Sequence, residues 1–198
     1  MSVRGVVLTY ETVRDWCRKF GQTYANGLRR RRPCPGDKWH LDEMFIRING
    51  KQHYLWRGVD QEGNVLDILV QSHRNKKAAN RFFRKLLKGL QYVPRVIVTD
   101  KLASYGAAKS ELLPRMEHRQ HKGLNNRAEN SHQPTRVREK VMRAFKSSGH
   151  GQRFRSAVSI IASHFKPRRH LLTAERYREE MQTRFGTWVE VSCFQMAA

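Results

Sequence analysis

The clearest pattern along the chain is an alternation of apolar and polar residues, which is interrupted by two turn sequences. A period of two is typical of β-strands, whose successive side chains point to opposite faces of a sheet. Asn49 and Gly50 have the composition of a tight hairpin turn, and residues 61–64 form a second turn sequence. The pattern therefore predicts an antiparallel meander of three strands, at residues 38–48, 52–60 and 65–71.

A helix and a short buried strand are predicted to follow the meander. In residues 76–90 apolar side chains recur every three or four positions, which indicates an amphipathic helix. Residues 96–98 form an uninterrupted β-branched run, typical of a strand buried on both faces in the parallel part of a sheet. Because strand–helix–strand crossovers are right-handed, we expect residues 95–100 to run parallel to an earlier strand.

Weaker patterns complete the predicted domain. A helix is expected at residues 102–113, before Pro114, and a short fifth strand at residues 116–120. A polar helix is expected from Asn125 to about Phe145. These elements predict an α/β fold with a mixed five-stranded sheet flanked by helices.

The N-terminal segment is predicted to be separate from this fold. Residues 9–21 have the pattern of a helix capped by Thr9 and ended by Gly21, either a plain amphipathic helix or the second helix of a helix-turn-helix. Residues 27–36 have the composition of a basic linker. We therefore expect an N-terminal part at residues 1–36 and a main domain at residues 37–198. Four consecutive arginines in the linker are either solvated or bound to phosphates: Arg29, Arg30, Arg31 and Arg32.

Charge narrows the class of partner. The chain has 198 residues, with 39 Lys and Arg against 17 acids, a net charge of +22 and a pI near 10.8. A folded domain with this charge is expected to bind a polyanion, and nucleic acid is the first candidate. With 39% hydrophobic and 10% aromatic residues, the chain is not a disordered basic tail.

Other protein classes are disfavoured by what the sequence does not contain. No run approaches the ~18 apolar residues of a membrane span, and the chain does not open with a secretory signal pattern. Cys17, Cys34 and Cys193 are scattered and have neither zinc-site nor disulfide spacing, which predicts a reducing cytoplasm.

Two acids occupy positions where a carboxylate needs an explanation. Asp42 lies in the middle of the first predicted strand, and Asp100 ends the buried strand at residues 95–100. Adjacent strands are ~4.8 Å apart, so pairing of these two strands would make the acids neighbours within reach of one metal site. The alternatives are that Asp42 faces solvent from an edge strand and that Asp100 only caps the next turn.

The polar helix carries a further acid in line with other polar groups. His132 and Arg136 fall three and seven positions after Glu129, on the same helical face. The alternative is a solvated surface helix. His118, His121 and His132 do not have the spacing of zinc ligands with thiols or acids, so zinc has little support.

Three motifs together resemble a known family. They look like those of the bacterial insertion-sequence transposases with a DDE catalytic triad, most closely the insertion-sequence-six family. The similarity extends from about residue 9 to beyond residue 188. The motifs are Trp-His-Leu-Asp-Glu at 39–43, Val-Thr-Asp-Lys-Leu-Ala-Ser-Tyr at 98–105, and Glu-His-Arg-Gln followed by Asn-Asn-Arg-Ala-Glu-Asn-Ser-His within 117–132.

The resemblance implies a ribonuclease-H-like fold with a small helical N-terminal remnant. It matches the catalytic and metal-binding triad to Asp42, Asp100 and Glu129. It matches Asn126 and Arg136 to accessory positions, and we place His132 with them in the DNA-binding set. Asp60 and Asp67 lie on neighbouring strands but do not match the triad.

The resemblance also implies the chemistry and the partners. Two Mg²⁺ ions, with Mn²⁺ as a substitute, would serve hydrolysis at an insertion-sequence end and strand transfer of the freed 3′-hydroxyl. The expected partners are double-stranded DNA, at insertion-sequence ends and target, and a second copy in a homodimer. No membrane and no small-molecule substrate is expected, and the location would be the bacterial cytoplasm, with the nucleoid.

Two departures from the family pattern keep other functions open. First, only 28 residues separate Asp100 from Glu129, fewer than is typical of the family. Second, only eight residues precede the helix at 9–21, whereas family members carry further helices before it. We therefore expect an N-terminally truncated copy. The alternatives to an active transposase are a catalytically silent DNA-binding remnant and a ribonuclease-H-like nuclease.

Overall fold

The structure is a computed structural model, and its contacts divide the chain into two compact units. One unit is Pro33–Arg155, and the other combines Met1–Arg32 with Ser156–Ala198. The functional division predicted at residues 36 and 37 stays a prediction. The described residues are 2–3, 6–7, 9–32, 34–121, 125, 128, 145, 147–167 and 171–193.

The described elements follow in chain order. The strands are β1 (Ser2–Val3), β2 (Val6–Val7), β3 (Lys38–Ile48), β4 (Lys51–Asp60), β5 (Val65–Gln71), β6 (Val96–Thr99) and β7 (Glu117–Gln120). The helices are α1 (Tyr10–Arg31), α2 (Lys76–Leu90), α3 (Ala103–Leu112), α4 (Ser148–His164) and α5 (Ala174–Cys193). In the part of the chain that the structure describes, no helix is long and apolar enough to cross a membrane.

The unit Pro33–Arg155 contains a mixed five-stranded sheet. Its strand order is β5-β4-β3-β6-β7, with β3, β4 and β5 antiparallel and with β6 parallel to both β3 and β7. A meander followed by a helical crossover to a parallel strand is the ribonuclease-H-like arrangement that the resemblance implies. The predicted meander, crossover and fifth strand are therefore confirmed.

The turn between β3 and β4 fixes the register of the meander. Asn49 and Gly50 have φ angles of 49° and 74°, the left-handed conformation that a tight hairpin turn requires at both central residues. Ile48 consequently pairs with Lys51. A slip of one residue would move every side chain of β3 to the other face of the sheet.

The two faces of the sheet bury different sets of residues, as the alternation along β3 predicts. Trp39 and Leu41 belong to the core beneath α2 and α3, whereas Met44 and Ile46 belong to the core on the opposite face. The helical contribution to the first core is Phe82, Phe83 and Leu86 of α2, each fully buried. Burial of such side chains contributes ~1.5–3 kcal/mol apiece, which anchors α2 across the sheet.

The other unit contains β1 and β2, which pair antiparallel, and helices α1 and α5. The Tyr24 ring of α1 meets the Trp188 ring of α5 edge-on, with centroids 5.4 Å apart. A Cβ atom added to Gly27 would lie 2.7 Å from Val191 Cγ1. Gly27 therefore permits the close approach of these two helices.

The structure corrects the predicted N-terminal segment. Thr9 caps α1 as expected, accepting a hydrogen bond from the Thr12 backbone N–H, but the helix passes through Gly21 and ends at Arg31. Two of the less polar side chains of this segment are not buried, because Trp16 is 49% exposed and Cys17 is exposed. Burial of Ala25 and Leu28 stabilises the second half of α1 beyond the glycine.

The basic linker predicted at residues 27–36 is also corrected, because its first half is helical. Arg29, Arg30 and Arg31 form the last turn of α1, and Arg32 is the C-cap. Arginine is a good helix former, and cations are favourable near the negative end of a helix dipole. Arg31 further pairs with Glu190, at an Nε–Oε2 distance of 3.7 Å.

Candidate active site

The parallel pairing of β3 and β6 brings Asp42 and Asp100 together. Leu41 lies opposite Thr99 in this register, so each acid is the next residue along its strand. Asp100 also accepts a hydrogen bond from the Leu102 backbone N–H at 3.0 Å. It therefore caps the turn before α3 while its carboxylate lies beside Asp42.

Glu43 is the third carboxylate at this position. Single ligand oxygens of Asp42, Glu43 and Asp100 all lie within 4.8 Å of one another. Glu43 is not among the predicted site residues, because alternation along β3 assigns it to the face opposite Asp42. Because β6 ends at Thr99, the following residues of β3 have no paired strand on that side. Side chains from both faces of β3 can therefore converge at this unpaired edge of the strand.

Arg74 connects two of these acids. It lies between β5 and α2, directly before the N-cap residue Asn75. Its Nε and Nη2 atoms lie 2.7 Å and 2.6 Å from Glu43 Oε1, and Nη2 lies 3.7 Å from Asp100 Oδ2. The Arg74 guanidinium therefore compensates part of the negative charge at the strand ends.

Glu43 has an unusual electrostatic environment. Its side chain is 2% exposed, and burial, followed by the charge of Asp100, raises its pKa to about 7. The Tyr105 hydroxyl and the Arg74 cation act in the opposite direction on this pKa, and Asp42 adds a small increase. Burial, and then the neighbouring Glu43, raise the pKa of Tyr105 well above its usual value.

Two polar atoms face each other in this buried space. Glu43 Oε2 and Tyr105 Oη are buried, and neither makes a well-formed hydrogen bond within the described ranges. Tyr105 is fully buried and packs edge-on against Trp56, with ring centroids 5.3 Å apart. An unsatisfied buried oxygen is costly, and a cation bound beside it would remove that cost.

The donor atoms fit a divalent metal ion. Carboxylate oxygens are the ligands that hard cations such as Mg²⁺ and Mn²⁺ prefer. Asp42, Glu43 and Asp100 offer three such groups at the ends of paired strands. Within the described ranges, the candidate metal group consists of these three carboxylates.

Asn125 attaches a later segment of the chain to the same strand. Its Nδ2 donates a hydrogen bond to the Leu41 carbonyl oxygen at 2.9 Å, and the residue is 4% exposed. Ala128 is fully buried in the core with Met44. The motif that supplied Asn126 and Glu129 also contained Asn125, but nothing in its spacing indicated a contact with Leu41.

The remaining predicted site residues are not tested at this cluster. Asn126, Glu129, His132 and Arg136 lie outside the described residues, so their predicted roles stay predictions. The arginine run, Arg29 to Arg32, belongs to the other compact unit.

The two acids that did not match the motif have structural contacts. Asp60 Oδ1 accepts hydrogen bonds from the backbone N–H groups of Glu62 and Asn64, at 2.8 and 2.9 Å. Asp67 forms an ion pair with Lys85, at an Oδ2–Nζ distance of 2.5 Å. Their burial is therefore explained without a metal or substrate.

Comparison with known proteins agrees with the motifs. The transposase for insertion sequence-like element IS431mec of Staphylococcus aureus is 30% identical over 141 residues, which are 69% of this chain and 62% of that protein. The transposase for insertion sequence element IS257 in transposon Tn4003 of the same species matches with the same figures. The chain thus spans about three fifths of the length of these relatives.

A solved structure with a similar chain path is the HTLV-2 integrase catalytic core domain in complex with magnesium, in its dimeric form. Its TM-score is 0.49 at 15% identity, and the match covers 63% of this chain and 86% of that chain.

The decisive comparison is with a family model. The model described as a DDE domain matches residues 36–168, which include β3 with Asp42, β6 with Asp100, and the segment that contains Glu129. This match covers well over half of the chain and agrees with the transposase relatives. The chain therefore belongs to the family of bacterial insertion-sequence DDE transposases, of the insertion-sequence-six type.

Proposed function

We propose that the protein is a DNA transposase, which cleaves DNA at insertion-sequence ends and transfers the freed 3′ end into target DNA. The observation that carries this proposal is the convergence of Asp42 and Asp100 at the ends of paired strands, in a chain that belongs to the DDE-domain family. The relatives' transposase names support the same activity.

Asp42, Asp100 and Glu129 are the proposed catalytic and metal-binding residues. Two divalent ions, Mg²⁺ with Mn²⁺ as a substitute, would activate water and stabilise the leaving oxygen when bound. In this proposal Asp42, Asp100 and Glu129 are the side chains that would hold the two ions. The burial of Ala128 against the sheet, directly before Glu129 in the chain, supports the inclusion of Glu129.

The proposed reaction has two phosphoryl transfers. In the first, a water oxygen bonds to the phosphorus at the insertion-sequence end, and the bond from phosphorus to the 3′ oxygen breaks. In the second, the freed 3′ oxygen bonds to a target phosphorus, and the target's own 3′ oxygen leaves. The carboxylates orient the reacting groups, and no bond between protein and DNA is needed.

Double-stranded DNA and a second copy of the chain are the proposed partners. A net charge of +22 supports binding to the phosphate backbone. The proposed DNA contacts are Asn126, His132 and Arg136 near the scissile phosphate, and Arg29, Arg30, Arg31 and Arg32 at the end of α1. The site of action would be the bacterial nucleoid.

A strand-transfer assay tests the proposal. Purified chain is incubated with Mg²⁺, a labelled duplex that carries candidate insertion-sequence ends, and a supercoiled target. Joined product is expected with the wild-type chain and with Glu62→Gln, because Glu62 is an exposed acid in the β4–β5 turn. Asp42→Asn, Asp100→Asn and Glu129→Gln should each abolish it.

Two other results would replace the proposal with one of its alternatives. DNA binding without nicking or joining, on ends that a full-length relative processes, would identify a silent remnant. Metal-dependent nicking without joining would identify a ribonuclease-H-like nuclease.

A further inference from the structure

Phe45 is a large apolar side chain exposed next to the acidic site. It lies two residues after Glu43 on β3, and the same face of the strand carries both side chains. Residues at this spacing are ~7 Å apart along a strand. Phe45 is 58% exposed, although β3 is the central strand of the sheet. It projects beyond Thr99, the end of the neighbouring strand β6.

A second aromatic side chain supports the Phe45 ring. Tyr54 lies directly opposite Phe45 on β4, with ring centroids 5.3 Å apart and planes tilted by 54°. The Tyr54 hydroxyl accepts a hydrogen bond from Gln52 Nε2 at 3.1 Å, and Tyr54 packs against the core beneath α2. The Phe45 ring is therefore held on one side and open to solvent on the other.

Along the strand, a cation lies on one side of the exposed ring and the acidic site with its partner Arg74 lies on the other. Arg47 follows two residues later on the same face and is exposed. On the other side, Arg74 contacts Glu43 and keeps 34% of its side chain exposed. An aromatic face next to a cation is the combination with which proteins bind single-stranded nucleic acid, because bases stack while phosphates pair with the cation.

We propose that Phe45 is a stacking platform for an unpaired DNA base next to the phosphodiester at the acidic site. This inference rests on the proposed function. A base inside a duplex already has a stacked neighbour on each side, so only a base released from the helix can cover the ring. Release costs least where pairing is already interrupted, as it is beside a cleaved strand end.

The test compares two DNA substrates in equilibrium binding. Fluorescence anisotropy is measured with EDTA on a blunt duplex and on the same duplex with a three-nucleotide single-stranded overhang that contains 2-aminopurine. Phe45→Leu keeps an apolar side chain without an aromatic face, and Phe45→Trp keeps the face. Phe185→Leu is the matched control, because Phe185 of α5 is 54% exposed in the other compact unit.

Phe45→Leu should weaken overhang binding about tenfold and leave blunt-duplex binding unchanged, whereas Phe45→Trp and Phe185→Leu should match wild type. The 2-aminopurine fluorescence should be quenched by wild type and not by Phe45→Leu.

Equal effects of Phe45→Leu on both substrates, or no effect, would overturn this inference but not the proposed function. The inference would also be overturned if Phe45→Leu kept the overhang preference and changed the sedimentation coefficient of the protein. That result would identify a second copy of the chain as the partner that covers Phe45. Failure of wild type to bind either substrate would overturn the proposed function as well.

Discussion

Glu43 shows how one side chain changes the chemistry of the site. It is almost completely buried and contacts Arg74, while Asp42 and Asp100 lie close by. A carboxylate in this environment prefers to hold a proton until the pH is near neutral, because burial and like charges disfavour its ionised form. Its presence should therefore be visible in the pH dependence of folding.

In metal-free protein, Glu43→Gln should remove a component of stability that depends on pH. The pKa of Glu43 rises from 4.5 to about 7 on folding, so its stabilising contribution is complete below pH 4.5 and is lost as the pH rises to about 7. Urea unfolding in EDTA should show that wild type loses roughly 3 kcal/mol of unfolding free energy relative to the variant as the pH rises across this window. Parallel pH profiles of the two proteins would contradict the assigned environment.

Arg74→Gln should destabilise the metal-free protein. The variant leaves the buried Glu43 carboxylate without its cation, which should lower the free energy of unfolding by about 1–3 kcal/mol. Saturating Mg²⁺ should recover much of this loss, because the acids then gain another cation. Thermal unfolding with and without Mg²⁺ measures both effects.

The double variant Glu43→Gln with Arg74→Gln is the control for this prediction. It removes both charges and should recover stability without metal. An equal loss from Arg74→Gln in the wild-type and Glu43→Gln backgrounds would show that the two side chains do not interact.

At the scale of elements, α1 is the instructive case. Its two internal glycines, Gly21 and Gly27, differ in what surrounds them. Nothing lies within 4 Å of a Cβ added at Gly21, whereas Val191 occupies that space at Gly27. Gly21 therefore only weakens the helix, and Gly27 is required for packing against α5.

Alanine at these two positions should have opposite effects on stability. Gly21→Ala should raise the free energy of unfolding by about 0.5–1 kcal/mol, the gain in helix propensity. Gly27→Ala should lower it by about 1–3 kcal/mol, because the stiff Val191 side chain must move. Chemical unfolding followed by circular dichroism measures both.

Val191→Ala provides the internal control for Gly27. In that background the obstruction is removed, and Gly27→Ala should become neutral or stabilising. The same loss in both backgrounds would mean that the contact with Val191 is not the cause.

At the scale of the whole molecule, charge is the dominant property. A net charge of +22 favours association with a polyanion whatever its sequence, because binding releases counterions from the phosphates. The described ion pairs neutralise only some of the cations: Arg95 pairs with Asp37, at an Nε–Oδ2 distance of 3.5 Å, while Arg30 is exposed at the end of α1.

DNA affinity should therefore fall steeply with salt. Between 50 and 200 mM salt we expect a loss on the order of 10³-fold or more, if about six phosphates are contacted. Arg30→Gln should reduce the slope of log affinity against log salt by about one unit. Arg95→Gln should leave the slope unchanged, because Asp37 already balances that charge. Equal slopes for wild type and Arg30→Gln would exclude Arg30 from the DNA contacts.

The sequence by itself determined the features that depend on local order along the chain. Alternation fixed β3, β4 and β5, and the φ preferences of Asn49 and Gly50 fixed the hairpin between β3 and β4. The β-branched run at residues 96–98 identified β6, and the motifs selected Asp42 and Asp100. Net charge needs no structure at all, so the class of partner could be inferred from composition.

Tertiary structure decided what depends on neighbours distant in the chain. Glu43 joins the acids because β6 ends beside it, and Arg74 reaches them from the loop before α2. Asn125 is tied to Leu41 by a hydrogen bond that no spacing predicts. The length of α1 follows from its packing against α5, which outweighs the helix-ending tendency of Gly21. Local propensities differ by ~1 kcal/mol or less per residue, so burial and charge pairing across the fold override them.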